Sequence, residues 1–328
     1  MRRTDPIQRQ VSRAGGRTTI DNIPRLDPVV LSPRWSLRDG GCSKLQGAHH
    51  QTQNLGSRFI GPDQFRPVWD IEGYRRGVDN PLHHPRYPRS NSYDAKWVLE
   101  NQMGPNALWL LESLTEILPI PAEAKILDLG CGRAMTSIFL AKEFGAQVWA
   151  TDLWISKSEN QQRVDEAGVS ALVTPVHAEA HALPFTNGQF DLVISIDAYQ
   201  YFGTADLYLG YLVNFLGEGG RIGAVMPAML TEVGSDVPET LRPYWDWEFC
   251  CFHGPDWWRT HWAKTGKVTV DHADTIEEGW RDWRRFDEIT APLLDGWRAE
   301  AAVNSQAMLN ADKGKHLGFT RIVATRNR

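Results

Sequence analysis

The sequence predicts an α/β protein built on a doubly wound parallel sheet, and two observations carry the prediction. From residue 125 onward, short apolar segments alternate with longer segments of helical periodicity, the pattern of consecutive βαβ units. The segment Phe190–Ile196 is almost entirely apolar, as expected of a central parallel strand that is buried on both faces. We therefore expect a sheet with helices packed against both of its sides.

Composition narrows the classes of protein that fit this fold. The chain has 328 residues, of which 42% are hydrophobic, enough to bury a large core. No apolar run approaches the roughly 18 residues needed to span a bilayer, so stable membrane insertion is not expected. Four cysteines are too few for a disulfide scaffold, which favours a cytoplasmic location. Acidic residues exceed basic ones after residue 90, which argues against a nucleic-acid-binding surface.

Residues 1–86 are rich in arginine and proline and lack a sustained apolar period. This composition predicts an irregular or disordered leader, with ordered structure beginning near Tyr87. The arginine-rich start only partly matches a mitochondrial transit peptide, because no clear amphipathic helix is present. Mitochondrial targeting is therefore the less favoured alternative to the cytoplasm.

Each element of the fold follows from its own local pattern. Apolar runs predict strands at residues 125–129, 147–151, 172–176, 190–196, 221–226, 267–272 and 317–325. Helical spacing predicts helices at residues 93–100, 105–118, 134–144, 156–167 and 205–216. The glycine-rich residues 217–220 predict a turn.

Two late insertions, residues 227–265 and the mainly helical residues 276–312, interrupt the alternation. Of the 14 tryptophans, eight lie between Trp245 and Trp297. Aromatic clusters build cores, and they also build pockets and interfaces. We expect these insertions to cover a ligand site, with a minority of the tryptophans in contact with the ligand.

The most informative segment, residues 126–132, is a strand that runs into a Gly-x-Gly turn. Asp128 stands at the strand end, and Asp152 closes the next strand 20 residues after Gly132. A dinucleotide fingerprint needs glycine or alanine where this chain has Met135, and Asp128 would repel a pyrophosphate. The two acids instead favour a cationic ligand that carries a ribose.

Five motifs in order now carry a family resemblance. They are Asp-Leu-Gly-Cys-Gly at 128–132, the acid at 152, Ala-Glu-Ala-His-Ala-Leu-Pro-Phe at 178–185, Phe-Asp-Leu-Val-Ile-Ser-Ile-Asp at 190–197 and Leu-Gly-Glu-Gly-Gly-Arg-Ile at 216–222. Together they resemble class I S-adenosylmethionine-dependent methyltransferases, nearest to the small-molecule branch of quinone-biosynthesis and cyclopropane-fatty-acid-synthase-like enzymes. The resemblance covers residues 87–328. It implies a Rossmann-like sheet of seven strands, with the last strand inserted antiparallel between the fifth and sixth.

The resemblance also implies a cofactor, S-adenosyl-L-methionine, and the residues that bind it. These are Asp128, Gly130, Cys131, Gly132, Asp152, Leu153, Trp154, Glu179, Ala180, Ile196 and Asp197. Asp128 would hold the amino group, Asp152 the ribose hydroxyls, and Leu153 or Trp154 would lie against adenine. Trp154 fits a core or surface role equally well, and we interpret Cys131 as a small filler of the turn.

The sequence indicates less about the methyl acceptor and the catalytic residues than about the cofactor site. Methyl transfer needs an aligned acceptor, exclusion of water and, where required, removal of a proton. His253, Tyr201 and Asp197 are the catalytic candidates, although Tyr201 fits packing at a helix start equally well. The tryptophan-rich insertions favour a small apolar or aromatic acceptor. The histidine pairs at 49–50 and 83–84 lack further ligands at metal-binding spacing, so no metal site is expected.

The leading hypothesis is therefore methyl transfer from S-adenosylmethionine to a small organic acceptor. Two alternatives stay open. One is a cofactor-binding cyclase or binding module on the same fold that does not methylate. The other is an NAD(P)-dependent oxidoreductase, which Asp128 and Met135 disfavour. The sequence predicts no oligomeric state.

Overall fold

A computed structural model describes residues 80–328, and the predictions for residues 1–79 lie outside the described residues. The strands of the described part form one seven-stranded sheet. They are β1 (Lys125–Leu129), β2 (Gln147–Asp152), β3 (Val173–His177), β4 (Phe190–Ile196), β5 (Leu216–Met229), β6 (Val268–Thr275) and β7 (Leu317–Arg326).

The strand order is β3-β2-β1-β4-β5-β7-β6. Strands β1 to β5 pair in parallel, and β7 is antiparallel to both β5 and β6. The predicted Rossmann-like sheet with an inserted antiparallel last strand is confirmed. From β1, the strands are added first on one side (β2, β3) and then on the other (β4, β5), so the strand order reverses between β1 and β4. Ligands of open α/β sheets bind at the carboxyl ends of the strands at such a point.

Nine α-helices accompany the sheet in residues 80–328. They are α1 (Ala95–Asn101), α2 (Ala107–Thr115), α3 (Met135–Phe144), α4 (Lys157–Glu166), α5 (Gln200–Gly203), α6 (Tyr208–Leu212), α7 (Pro255–Lys264), α8 (Gly279–Thr290) and α9 (Gly296–Asp312). Side-chain caps fix several starts: Asn106 accepts from the first amides of α2, and Ser156 forms a capping box with Glu159 at α4. None of the helices in residues 80–328 is long and apolar enough to cross a membrane.

Alternate residues of the strands contribute their side chains to two hydrophobic cores, one on each face of the sheet. In β1, for example, Ile126 faces the side of α2 and α3, whereas Leu127 faces the side of α6 and α7. A third, smaller cluster joins the late insertions at the carboxyl end of β5. Its buried members are Met229, Leu241, Phe252, Met308, Leu309 and Leu317.

The predicted helix over 205–216 and turn over 217–220 are wrong. The helix α6 spans only Tyr208–Leu212, a 3-10 turn follows, and β5 already begins at Leu216. Phe190 pairs with Leu216 and Leu192 pairs with Arg221, so the residues between form a bulge within the strand. The glycines that indicated a turn serve this bulge, where Gly219 takes a φ of +70°.

Packed structure begins before Tyr87, so the predicted leader boundary at residue 86 lies too late. Residues 80–86 form turns, yet Leu82 is buried and the His84 ring lies 2.8 Å from the Asp282 carboxylate of α8. The Arg285 guanidinium also donates to the carbonyls of Pro81 and His83. This segment therefore packs against α8 as part of the domain.

Candidate functional site

The glycine turn after β1 has a backbone that only glycine accommodates well. Gly130 and Gly132 take φ values of +75° and +52°. A Cβ at Gly130 would lie 2.4 Å from the Cβ of Ala198. This distance is far shorter than the contact distance of two carbon atoms, so the two atoms would clash. The amides of Gly130 and Cys131 donate to the Thr151 carbonyl at 2.8 and 3.1 Å, which ties the turn to the end of β2.

Cys131 lies in this turn with its side chain buried. Burial raises the pKa of its thiol well above the usual value. A thiol that stays protonated is a poor nucleophile. Its position agrees with the interpretation as a filler of the turn.

Asp152 holds two turns at once. One carboxylate oxygen accepts from the Gly132 amide at 2.8 Å. The other accepts from the amides of Trp154 and Ile155 at 2.7 and 2.9 Å. Because the oxygen that binds Gly132 accepts only one hydrogen bond, it keeps a lone pair for a ligand hydroxyl.

Asp128 is fully buried beneath the glycine turn. One oxygen accepts from the hydroxyls of Thr136 and Ser137, both at 2.6 Å, and the other has no partner in the described part of the chain. Burial raises the pKa of this carboxyl to about 6, although the two hydrogen bonds oppose the rise. An unpartnered buried carboxylate oxygen is costly, and a cationic group of a ligand would satisfy it.

The side chains predicted to flank adenine lie at the surface beside Asp152. Leu153 is 50% exposed and Trp154 is 73% exposed, so the core interpretation of Trp154 is wrong. The Ala178 amide donates to the Asp152 carbonyl at 3.0 Å, which brings the loop containing Glu179 and Ala180 to the same end of the sheet. The sheet thus gathers these predicted residues around one strand end.

Asp197 directly follows Ile196, the buried last residue of β4, and has an unusual backbone for a non-glycine residue, with a φ of +54°. Its carboxylate accepts from the side-chain amide of Gln200 at 3.4 Å. Burial raises the pKa of this carboxyl to about 7. Asp197 is therefore a carboxyl group poised to gain or lose a proton near neutral pH.

The segment between α1 and α2 lies over both the glycine turn and Asp197. A Cβ at Gly132 would be 3.0 Å from the Met103 sulfur, and a Cβ at Gly104 would be 2.6 Å from an Asp197 carboxylate oxygen. Met103 is 44% exposed. The segment forms a partly apolar cover at the mouth of the site.

Tyr201, the second catalytic candidate, lies beside Asp197 and is half exposed. Burial of its hydroxyl raises the pKa of Tyr201, and the charges of Asp197 and Glu248 raise it further. Tyr201 in turn lowers the pKa of Glu248, which places the two side chains near each other. Glu248, in the 3-10 segment Trp247–Cys251, was missed by the sequence reasoning because an acid in an irregular segment shows no periodic signal.

His253 is placed apart from these two candidates. Its Nδ1 lies 2.8 Å from a carboxylate oxygen of Glu232, whose other oxygen accepts from the Gly254 amide at 2.9 Å. The ring stacks on Trp257 with centroids 3.7 Å apart. His253 forms no hydrogen bond or ring contact with Asp197 or Tyr201, so the structure brings together only two of the three catalytic candidates.

The tryptophans of the first insertion divide between core and surface. Trp258 and Trp262 of α7 are fully buried and pack edge-on against Tyr199. Trp247, in contrast, is 71% exposed beside Glu248. Trp245 and Trp257 are partly exposed, so Trp247 is the most exposed of the five tryptophan rings in this insertion.

Comparisons with known proteins agree with this site. Residues 126–220, from β1 into β5, match the model of a methyltransferase domain. The chain is 28% identical over 134 residues to methyltransferase GfsG of Streptomyces halstedii, covering 40% of this chain and 48% of that protein. It is 31% identical over 109 residues to a probable tocopherol O-methyltransferase of Oryza sativa subsp. japonica, covering 32% of this chain and 30% of that protein. The chain thus spans about half or less of the length of these relatives.

Solved structures share the fold. Phosphoethanolamine N-methyltransferase 2 of Haemonchus contortus, in complex with S-adenosyl-L-methionine, superposes with a TM-score of 0.59 at 19% identity, covering 78% of this chain and 62% of that chain. The [4+2]-cyclase SpnF superposes with a TM-score of 0.54 at 15% identity, covering 69% of this chain and 83% of that chain. The fold alone therefore does not distinguish methyl transfer from cyclisation. Residues 126–220 match a methyltransferase domain, and over this segment the resemblance to class I S-adenosylmethionine-dependent methyltransferases is confirmed.

Proposed function

We propose that this protein transfers a methyl group from S-adenosyl-L-methionine to a small, apolar or aromatic organic acceptor. The observation that carries the proposal is the pair of acids around the glycine turn, with one oxygen of buried Asp128 left without a partner. A dinucleotide would bring a pyrophosphate to this turn and be repelled. The named relatives, which are methyltransferases, support the same choice over an oxidoreductase.

The residues present fit the cofactor group by group. The orphan oxygen of Asp128 suits its ammonium group, and Asp152 suits the ribose hydroxyls. Leu153, Trp154, Glu179 and Ala180 surround the expected adenine position, and Ile196 with Asp197 borders the reacting end. Bound here, the cofactor supplies an activated methyl group, whose bond to sulfur breaks as a bond to the acceptor's nucleophilic atom forms, leaving a neutral thioether.

The chain's own contribution is alignment, exclusion of water and proton transfer. We assign the proton acceptor to Asp197, because desolvation raises the pKa of its carboxyl to about 7. Tyr201 orients the acceptor beside it. Met103 and Gly104 exclude water from the glycine turn. His253, held by Glu232, is the second candidate for the base.

Calorimetric titration with S-adenosylhomocysteine tests the cofactor assignment. We expect the wild type to bind it and Asp152→Ala to lose about tenfold or more in affinity, or ~1.4 kcal/mol. The exposed Asp236→Ala is the matched control and should bind normally. Stabilisation of the wild type by NADH and not by S-adenosylmethionine would reject the proposal in favour of an oxidoreductase.

Incorporation of isotope-labelled methyl groups tests the transfer itself. We expect a labelled small organic product when cell extract is supplied with labelled cofactor. Tight cofactor binding without any labelled product would favour the non-methylating alternative. The product's mass and polarity then give the acceptor class.

We further propose that the acceptor is a free small molecule and that the protein binds no nucleic acid. The excess of acidic residues after residue 90 supports this, because nucleic-acid surfaces are basic. A reducing compartment such as the cytoplasm agrees with the adjacent cysteines Cys250 and Cys251, which are both free.

A further inference from the structure

We propose that the acceptor is an amine with an apolar body, bound in its ammonium form, and that Glu248 of the late insertion selects it. The inference rests on the proposed function, because it places the acceptor beside Asp197. It adds the chemistry of the reacting atom and a specificity residue outside the methyltransferase domain match.

Two carboxyl groups converge on one hydroxyl at this position. Asp197 arrives from the end of β4 and Glu248 from the 3-10 segment Trp247–Cys251, and the charges of both act on the Tyr201 hydroxyl. Burial raises the pKa of Asp197, and this carboxylate forms no salt bridge with a cationic side chain in residues 80–328. Burial and nearby Asp246 likewise raise the pKa of Glu248. The two acids thus form a cluster without a salt-bridged cation in the described part of the chain.

A third, independent acceptor points to a ligand. Gln200 is fully buried, and its side-chain amide nitrogen lies between Asp197 and Tyr201. Its carbonyl oxygen has no hydrogen-bond partner in the part of the chain that the structure describes. Buried polar atoms of native proteins are satisfied in the great majority of cases, so this oxygen calls for a donor from a bound molecule. An ammonium group carries up to three donors and matches these three acceptors.

Exposed rings next to the acids fit an apolar body attached to such a nitrogen. Tyr201 is 50% exposed, and Trp247, which directly precedes Glu248 in the chain, is 71% exposed. Aromatic faces attract cations as well as apolar groups. A carboxylate or phosphate acceptor would meet only repulsion, and a purely hydrocarbon acceptor would leave the acids and Gln200 unpartnered.

The proton balance of the reaction agrees with this choice. The N–H bond of the bound ammonium breaks, its proton goes to the Asp197 carboxylate, and the freed nitrogen lone pair becomes the nucleophile. Asp197 then releases the proton to water when the site opens. Glu248 keeps its charge throughout and acts by binding.

Matched probes of one shape test the proposal without knowledge of the natural acceptor. Benzylamine, benzyl alcohol and benzoate are titrated calorimetrically into protein saturated with S-adenosylhomocysteine. We expect benzylamine to bind at least about tenfold more tightly than benzyl alcohol, and benzoate not to bind. In Glu248→Gln the benzylamine affinity should fall about tenfold, and the benzyl alcohol affinity should not change.

Glu239→Gln, an exposed acid in the same insertion, is the matched control and should leave all three affinities unchanged. Thermal unfolding of each variant verifies that it folds. Benzoate binding as tight as benzylamine binding, or an unchanged benzylamine affinity in Glu248→Gln, would overturn the proposal and leave the proposed function intact. Failure of the proposed function appears separately, as no S-adenosylhomocysteine binding, and the same probe comparison is then made on the free protein.

Discussion

Asp128 is held where ionisation is unfavourable. Its carboxyl is fully buried, and burial raises its pKa from an ordinary value of 3.8 to about 6. An acid whose pKa is higher in the folded protein takes up protons on folding. Its stabilising contribution is therefore complete below about pH 4 and is lost as the pH rises through 6. At neutral pH, this residue lowers the stability of the free protein.

Asp128→Asn should therefore raise the melting temperature of the free protein by a few degrees at pH 7.5, because it removes a buried charge but keeps an oxygen for Thr136 and Ser137. The gain should shrink as the pH falls through 6 and disappear well below pH 3.8, where the wild-type carboxyl is protonated in both the folded and the unfolded state. The same variant should lose about tenfold or more in S-adenosylhomocysteine affinity. Calorimetry measures both quantities, and an unchanged affinity would contradict the role assigned to Asp128.

Gly104→Ala tests the cover over Asp197. The added methyl would lie 2.6 Å from the Asp197 carboxylate and must displace it. We expect the rate of labelled-methyl transfer to fall about tenfold or more, because a misplacement of about 1 Å is enough to cost that factor. Gly210→Ala, in α6 with open space around it, is the control and should keep full activity. Equal rates in the two variants would show that the position of Asp197 is unimportant.

Among the secondary-structure elements, β7 depends on one buried cation. Arg321 is 6% exposed and donates two hydrogen bonds to Asp274 of β6, at 2.9 and 2.7 Å. It also donates to Glu116 and to the Ser113 carbonyl at the end of α2, both at 2.7 Å. One guanidinium thus joins two strands and a helix.

Arg321→Met should lower the free energy of unfolding by about 1–3 kcal/mol, because it removes the hydrogen bonds of the buried guanidinium to Asp274, Glu116 and the Ser113 carbonyl. Arg281→Met removes an exposed arginine paired with Glu278 and should cost about 0.5 kcal/mol or less. Urea denaturation measures both. Similar losses in the two variants would mean that the Arg321 network adds nothing beyond a surface ion pair.

Strands with strong local signals were predicted to the residue, as in Lys125–Leu129 and Phe190–Ile196. Prediction failed at β5, where Leu216 pairs with Phe190 and the residues up to Gly220 form a bulge against β4, which the local sequence does not indicate. The same division holds for the site. Asp128 and Asp152 are placed by their own strands and were found, whereas Glu232 and Glu248 reach His253 and Tyr201 through contacts distant in sequence and were not.

At the scale of the whole molecule, burial is unevenly distributed. The central strands β1, β4 and β5 contribute to the cores on both faces, whereas residues 231–250 contain one buried side chain, Leu241. Segments with few buried contacts open at low free-energy cost. Local opening should therefore concentrate in the first insertion.

Hydrogen exchange followed by mass spectrometry checks this distribution. We expect the slowest amides in β1, β4 and β5 and fast exchange over residues 231–250. S-adenosylhomocysteine should slow exchange at residues 103–104, 130–132 and 152–155, and benzylamine should slow it at residues 247–251. Protection by S-adenosylhomocysteine outside the carboxyl end of the sheet would place the cofactor elsewhere.

The antiparallel insertion of β7 has a consequence for synthesis on the ribosome. Among the strands of residues 80–328, β6 pairs only with β7, and β7 emerges some 50 residues later, after α8 and α9. At about 5–20 residues per second, the delay is roughly 3–10 s. For that interval the nascent sheet ends at an open β5 edge, with its backbone groups unpaired. The sheet is complete only when β7 pairs with β5 and β6. A chaperone that shields exposed strand edges would act on the chain during this interval.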